Sequence, residues 1–176
     1  MDKIIEYLVK DPEREFHIRE MAKLLKKSPT TISKEVKKYE KRSILKYEKK
    51  LNHLLFKVNT ENPEFKKLKT DYNLSLINKS GIVDFLNKEF NYPSVIVLFG
   101  SFAKAENNKN SDIDIMIITP NKKERDLSEF ERKIGHKIQL HLYSNKEINI
   151  MKEKNKELLN NLINGLILSG YWEIFK

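Results

Sequence analysis

The chain has no cysteine among its 176 residues. That absence excludes a disulfide scaffold and any cysteine-based metal site. No apolar run approaches the roughly 20 residues that span a bilayer. The first residues, MDKIIEYLVKDPE, lack the long apolar region of a signal peptide. A soluble, cytoplasmic protein without membrane contact is expected. There is no internal repeat and no low-complexity tract. Acidic residues are the smaller charged class, 25 against 34 Lys and Arg, a net +9. The excess is uneven. Residues 1–60 hold 16 basic and 9 acidic residues, or +7, and residues 61–176 hold 18 and 16, or +2. A composition bias spread by a heat-adapted or AT-rich genome would not concentrate charge in this way. A localised basic region is what a phosphate backbone attracts.

Apolar residues make up 39% of the chain, enough for a core. In the basic third, Ile4, Ile5, Leu8 and Val9 fall at helical spacing and stop at Asp11-Pro12. FHIREMAKLLKKS, residues 16–28, gives a second amphipathic helix through Ile18, Met21, Ala22, Leu24 and Leu25. Ser28 is a suitable N-cap for a third, with Pro29 at the first helical position, where its missing N–H costs nothing. Ile32, Val36 and Tyr39 share one face of that helix; Thr30, Lys34, Lys37 and Lys41 gather on the other. SILKYEKKLNHLLFKVN then reads as two strands with a polar turn near Lys49–Asn52. This order resembles a winged helix-turn-helix domain over residues 1–60. The resemblance makes 29–42 the recognition helix and DNA the partner. Thr30, Thr31, Ser33, Lys34, Lys37 and Lys38 would meet DNA, with Lys49 and Lys50 on the wing. Short polar side chains near the helix start can reach base edges, and the lysines can meet phosphates. His17 and His53 read as packing or surface residues.

Residues 61–80 form a helical connector running from Pro63 through Phe65, Leu68, Tyr72 and Leu76. Ser80-Gly81 breaks it, and Ile82–Phe90 continues as another helix. Residues 81–176 are expected to be a second domain. Its most informative stretch is LFGSFAKAENNKNSDIDIMI, residues 98–117. PSVIVLFG reads as a buried strand ending in a glycine turn and a short helix. DIDIMIIT, residues 112–119, is a second strand. Alternation puts Asp112 and Asp114 on one face and Ile113, Ile115 and Ile117 on the other. Two adjacent carboxylates on a strand face repel, and burial without a partner is expensive. They imply a cation, and hard oxygen ligands suit Mg²⁺. Gly100 lets backbone approach an anion, and a helix start offers N–H groups to phosphate oxygens. A phosphate cradle beside a two-carboxylate clamp is equipment for metal-assisted in-line displacement.

The same stretch is similar to the signature of the DNA polymerase beta-like nucleotidyltransferase superfamily, in its minimal nucleotidyltransferase branch. The pattern is a hydrophobic residue, Gly-Ser, about ten residues, then Asp-hydrophobic-Asp. The resemblance covers roughly residues 80–170. It implies that Gly100 and Ser101, with Lys104, bind the triphosphate of an incoming NTP, ATP first, and that Asp112 and Asp114 hold Mg²⁺. Members often carry Arg-Gly-Glu after the Gly-Ser turn; here it is Lys104-Ala105-Glu106, with the charge kept and the glycine lost. The family's third carboxylate would fall on strand 136–144, at Gln139. Glutamine can offer an amide oxygen but carries no charge and cannot act as a base. His141 beside it could be a base but is a poor Mg²⁺ ligand. Glu106 and Glu131 are the other acids in reach, from loops.

The tail is read as one amphipathic helix through Leu158, Leu159, Leu162, Ile163, Leu166 and Ile167, with Gly170 as C-cap and Tyr171 and Trp172 packing back. The expected fold class is α+β: a winged helix, then a mixed-sheet nucleotidyltransferase domain with C-terminal helices. The expected function is Mg²⁺-dependent transfer of NMP to a protein or nucleic-acid hydroxyl, coupled to DNA binding. Some minimal nucleotidyltransferases are antitoxins that adenylylate a partner ribonuclease toxin, so such a partner and a homodimer on DNA are both open. The alternative is a transcriptional regulator whose degenerate nucleotidyltransferase domain senses a nucleotide.

Overall fold

A computed structural model describes residues 2–50 and 53–174, without the side chains of 49, 50, 53 and 54. The chain divides into two compact units, Met1–Tyr72 and Asn73–Lys176.

The first unit runs α1 (Lys3–Lys10), β1 (Phe16–His17), α2 (Ile18–Leu25), α3 (Pro29–Lys41), β2 (Leu45–Lys50) and β3 (His53–Val58), and takes in the first part of α4 (Pro63–Ser80). Its sheet has the order β1-β3-β2, antiparallel throughout. α3 starts as its sequence dictates: the Ser28 hydroxyl accepts the Thr31 N–H at 3.1 Å, and Pro29 opens the first turn. Ile32 and Val36 then bury against Ile4, Leu8, Met21, Leu45 and Phe56. One expectation needs correcting. Phe16 and His17 form a two-residue strand rather than helix, because Phe16 pairs with Phe56 across β3. The His17 backbone N–H donates to the Glu20 carboxylate at the start of α2, at 3.3 Å. The turn expected near Lys49–Asn52 falls partly on residues 51 and 52, outside the described residues, as do the side chains of Lys49, Lys50 and His53.

The second unit continues with α5 (Ile82–Glu89), β4 (Val95–Phe99), α6 (Gly100–Ala103), β5 (Ile113–Ile118), α7 (Ser128–Ile134), β6 (Ile138–Tyr143), α8 (Asn145–Lys154), α9 (Lys156–Ile163) and β7 (Leu166–Gly170). The sheet order is β6-β5-β4-β7. β4 is antiparallel to β5 and β7, and β5 is parallel to β6, so the sheet is mixed. This α+β architecture is the class that the sequence implies. Alternation gives the sheet two faces. One carries Ile96, Leu98, Ile113, Ile115, Ile117 and Ile138 into a core with Ile82, Leu86, Phe130 and Ile134. The other carries Val95, Val97, Met116 and Ile118 under Ile148, Met151, Leu159 and Leu162 of α8 and α9. α8 is anchored by a capping box in which the Ser144 hydroxyl accepts the Glu147 N–H while Glu147 accepts the Ser144 N–H. The Lys122 ammonium, with those bonds behind it, holds the Glu147 carboxyl down to about 2.

The tail is the second correction. α9 stops at Ile163, and Leu166–Gly170 is a strand on the edge of the sheet, bonded to β4. Gly165 is what permits it: a Cβ there would lie 2.5 Å from Val97 Cγ1 and 2.6 Å from the Leu98 carbonyl. Gly170 is therefore a strand end and not a helix cap. Trp172 packs partly against Val95 and Ile148, but Tyr171 is 71% exposed. No described helix is long and apolar enough to cross a membrane.

Candidate active site

β4 is buried at every position and ends where Gly100 turns the chain with φ +69, a left-handed backbone that glycine adopts without strain. Glycine is required for a second reason. A Cβ on Gly100 would lie 3.2 Å from Asp114 Cγ and would strike its carboxylate oxygen. The Asp114 side chain thus lies directly against the Gly100-Ser101 turn. Register produces this contact, since Phe99, the last residue of β4, pairs with Asp114 on β5.

Asp112 and Asp114 project to the face of the sheet opposite Ile113 and Ile115. Each meets a polar side chain from β6, which runs parallel alongside. Gln139 Nε2 donates to Asp112 Oδ2 at 2.6 Å. His141 Nε2 lies 3.3 Å from Asp114 Oδ1, and its ring stands edge-on to Phe99, with centroids 5.0 Å apart. Four polar side chains therefore occupy the end of a face that is otherwise apolar. Half-exposed charges tolerate this position where buried ones would not. Among the described residues, no group of three or more His, Asp or Glu side chains is arranged to hold a metal. The donor set is two carboxylates plus an amide.

Other sequence-predicted residues take varied places. Ser101 sits in α6, one residue past the glycine. Lys104 follows it and donates to Asn161 Oδ1 of α9 at 3.1 Å. Glu131 is on α7 and not in a loop, and it is engaged by the Ile138 N–H and the Lys137 ammonium, so it pins the start of β6. Glu106 is exposed. In the first unit, Thr30, Ser33, Lys34 and Lys37 line one groove of about 500 Å³ with Ile18, Arg19 and Pro29. Thr31 stands apart, its hydroxyl 2.8 Å from the Ser28 hydroxyl at the helix cap. Lys38 is exposed and does not line the groove. Arg19 is the groove residue that sequence reasoning missed. Its charge is visible in the sequence, but the way α2 packs against α3 decides where it points.

A family model described as a nucleotidyltransferase domain matches residues 79–167. That span is half of the chain and contains the Gly100 turn, both aspartates and β6. The chain belongs to the nucleotidyltransferase domain family. The coarse chemistry of the second unit follows: transfer of a nucleoside monophosphate. The chain matches no curated protein and no solved structure.

Proposed function

We propose that the protein is a Mg²⁺-dependent nucleotidyltransferase that passes NMP from an NTP, ATP first, to a hydroxyl of a protein or nucleic acid, and that its first unit is a winged helix that binds DNA. One observation carries the catalytic half. The Asp114 carboxylate lies against a turn that only glycine can make, so a cation ligand and a phosphate cradle share one place. Two carboxylates fit Mg²⁺, which is commonly held by one or two carboxylates while substrate phosphates and water complete its shell. Asp112 and Asp114 would hold it. When bound, the ion neutralises phosphate charge and aligns attacking and leaving oxygens. The chain's own residues do the rest. Gly100 lets the turn pass directly against the Asp114 carboxylate, the backbone at Ser101 would face the phosphates, and Lys104 would add positive charge. Gln139 steadies Asp112 through its amide N–H but cannot take a proton from the attacking hydroxyl.

That last point favours a second reading, a regulator that binds nucleotide without transferring it. Gln139 pairs in register with Asp114, where the family's third carboxylate is expected, and is bonded to Asp112. The test is incubation with Mg²⁺ and each labelled NTP, with and without a co-purifying partner such as a ribonuclease toxin. Label transferred to partner, nucleic acid or the chain itself supports the enzyme. Binding without any transfer leaves the sensor.

DNA binding is supported by the +7 balance of residues 1–60 and by the groove that Arg19, Lys34 and Lys37 line. Replacing Lys34 and Lys37 with Ala should weaken binding and lower the slope of log K against log salt by about 0.9 for each phosphate that is no longer neutralised. An unchanged slope would remove α3 from the DNA interface.

A further inference from the structure

Asn73 and Asn107 are polar side chains in a core, 1% and 6% exposed. Asn73 Nδ2 lies 2.9 Å from the Phe102 carbonyl and 2.8 Å from Asn107 Oδ1. The carbonyl it reaches belongs to α6, the four-residue helix that begins at Gly100-Ser101. A helix this short has no stability of its own, because nucleation outweighs its few hydrogen bonds. It is held from outside. Its own closing bonds run from Lys104 N–H to the Gly100 carbonyl at 3.2 Å and from Glu106 N–H to the Ser101 carbonyl at 2.9 Å, and the outside hold is at Phe102. The Phe102 carbonyl is caught by Asn73, 29 residues upstream. The segment that follows is tied by the same amide through Asn107, and again at Ser111, whose carbonyl lies 2.8 Å from His136 Nδ1. The next residue is Asp112.

Two buried amides cost desolvation that a pair of leucines would avoid, which offsets most of what the bond between them contributes; what leucines could not replace is the donor that Asn73 offers the Phe102 carbonyl. The pair therefore contributes geometry more than stability. We infer that Asn73 is a positioning residue for nucleotide binding: its amide fixes the Gly100-Ser101 turn and the segment that delivers Asp112, so that cradle and carboxylates keep their spacing. It touches neither phosphate nor cation itself. The inference rests on the nucleotide-binding reading above.

The experiment uses the full chain and titration calorimetry with ATP and Mg²⁺. In Asn73→Leu/Asn107→Leu, the circular dichroism spectrum should match wild type and the melting temperature fall by several degrees, because the Phe102 carbonyl loses its donor, with the chain still folded at about 25 °C, while the Kd for Mg-ATP rises tenfold or more. A folded double variant with Kd within twofold of wild type overturns the inference. If the double variant fails to fold, Asn73→Ser is the second probe; it shortens the reach to the Phe102 carbonyl and should raise Kd at least fivefold, an unchanged Kd again being fatal. Wild-type protein that binds no triphosphate would overturn the nucleotidyl-transfer reading and the clamp together. Wild-type binding with indifferent variants would overturn the clamp alone.

Discussion

The two faces of the second unit's sheet are made by the same strands and obey the same alternation, yet they end differently. Ile96, Leu98, Ile113, Ile115, Ile117 and Ile138 keep one face apolar along its length. The other is apolar through Val95, Val97, Met116 and Ile118, then turns polar at Asp112, Asp114, Gln139 and His141. What differs is cover. α8 and α9 close the apolar part of the second face, and their buried side chains reach as far as Phe99. A covered strand face must be apolar; an uncovered end is free to hold charge. The fold thus keeps one face wholly apolar and divides the other between a covered apolar part and a polar end.

The largest effect that tests this division is loss of a carboxylate. Asp114→Asn keeps the shape of the side chain and removes its charge. Charge stabilisation by a bound metal is worth several kcal/mol, so transfer should fall by about 10³-fold, at 1.36 kcal/mol per factor of ten. The melting curve should hardly move. Activity within tenfold of wild type would mean that the polar end is not the site. The neighbour one residue on gives the opposite pattern. Ile115→Ala empties a fully buried position on the apolar face and should cost about 2–5 kcal/mol, read from the urea midpoint. Its folded fraction should still bind nucleotide with wild-type affinity. If Ile115→Ala instead weakened binding without loss of stability, the faces would not be separable.

Much of this was legible because it is local. Period-two alternation alone put Asp112 and Asp114 on one face and the isoleucines on the other. The Ser28-Pro29 cap fixed the start of α3, and Ser80-Gly81 the break between α4 and α5. What was not legible depends on distant partners. Leu166 and Ile167 continue the helical spacing of Leu159 and Leu162 by coincidence; pairing with β4 makes them strand, and the Val97 side chain and Leu98 carbonyl beside Gly165 explain the glycine. Phe16 and His17 are too few to signal a strand without β3. Asn73 and Asn107 look like solvated positions in a helix and a loop until the fold buries them together. Gln139 was recognised as a departure, but its bond to Asp112 required the parallel register of β6.

The smallest effects concern strain, which also differs between the two sides of the sheet. α7, which packs on the apolar face, ends at Gly135 with φ +84, and α6, beside the polar end, is followed by Ala105 with φ +58. Left-handed backbone costs a residue with a Cβ about 1–2 kcal/mol. At Gly135 a Cβ would meet nothing within 4 Å, so Gly135→Ala gains no packing. It gains only the reduced backbone entropy of the unfolded chain, about 0.5–1 kcal/mol. The net expectation is destabilisation by about 1 kcal/mol. Ala105→Gly is not the mirror image. It relieves the strain, but it restores that entropy cost and gives up a methyl that is 6% exposed, worth about 0.8 kcal/mol. These contributions nearly cancel, so its urea midpoint should stay within about 0.5 kcal/mol of wild type. Stabilisation beyond 1 kcal/mol would show that the methyl adds nothing and that the turn beside Asp114 carries uncompensated strain. A result near zero would show why this chain tolerates alanine where the family often has glycine: the buried methyl offsets the backbone it bends.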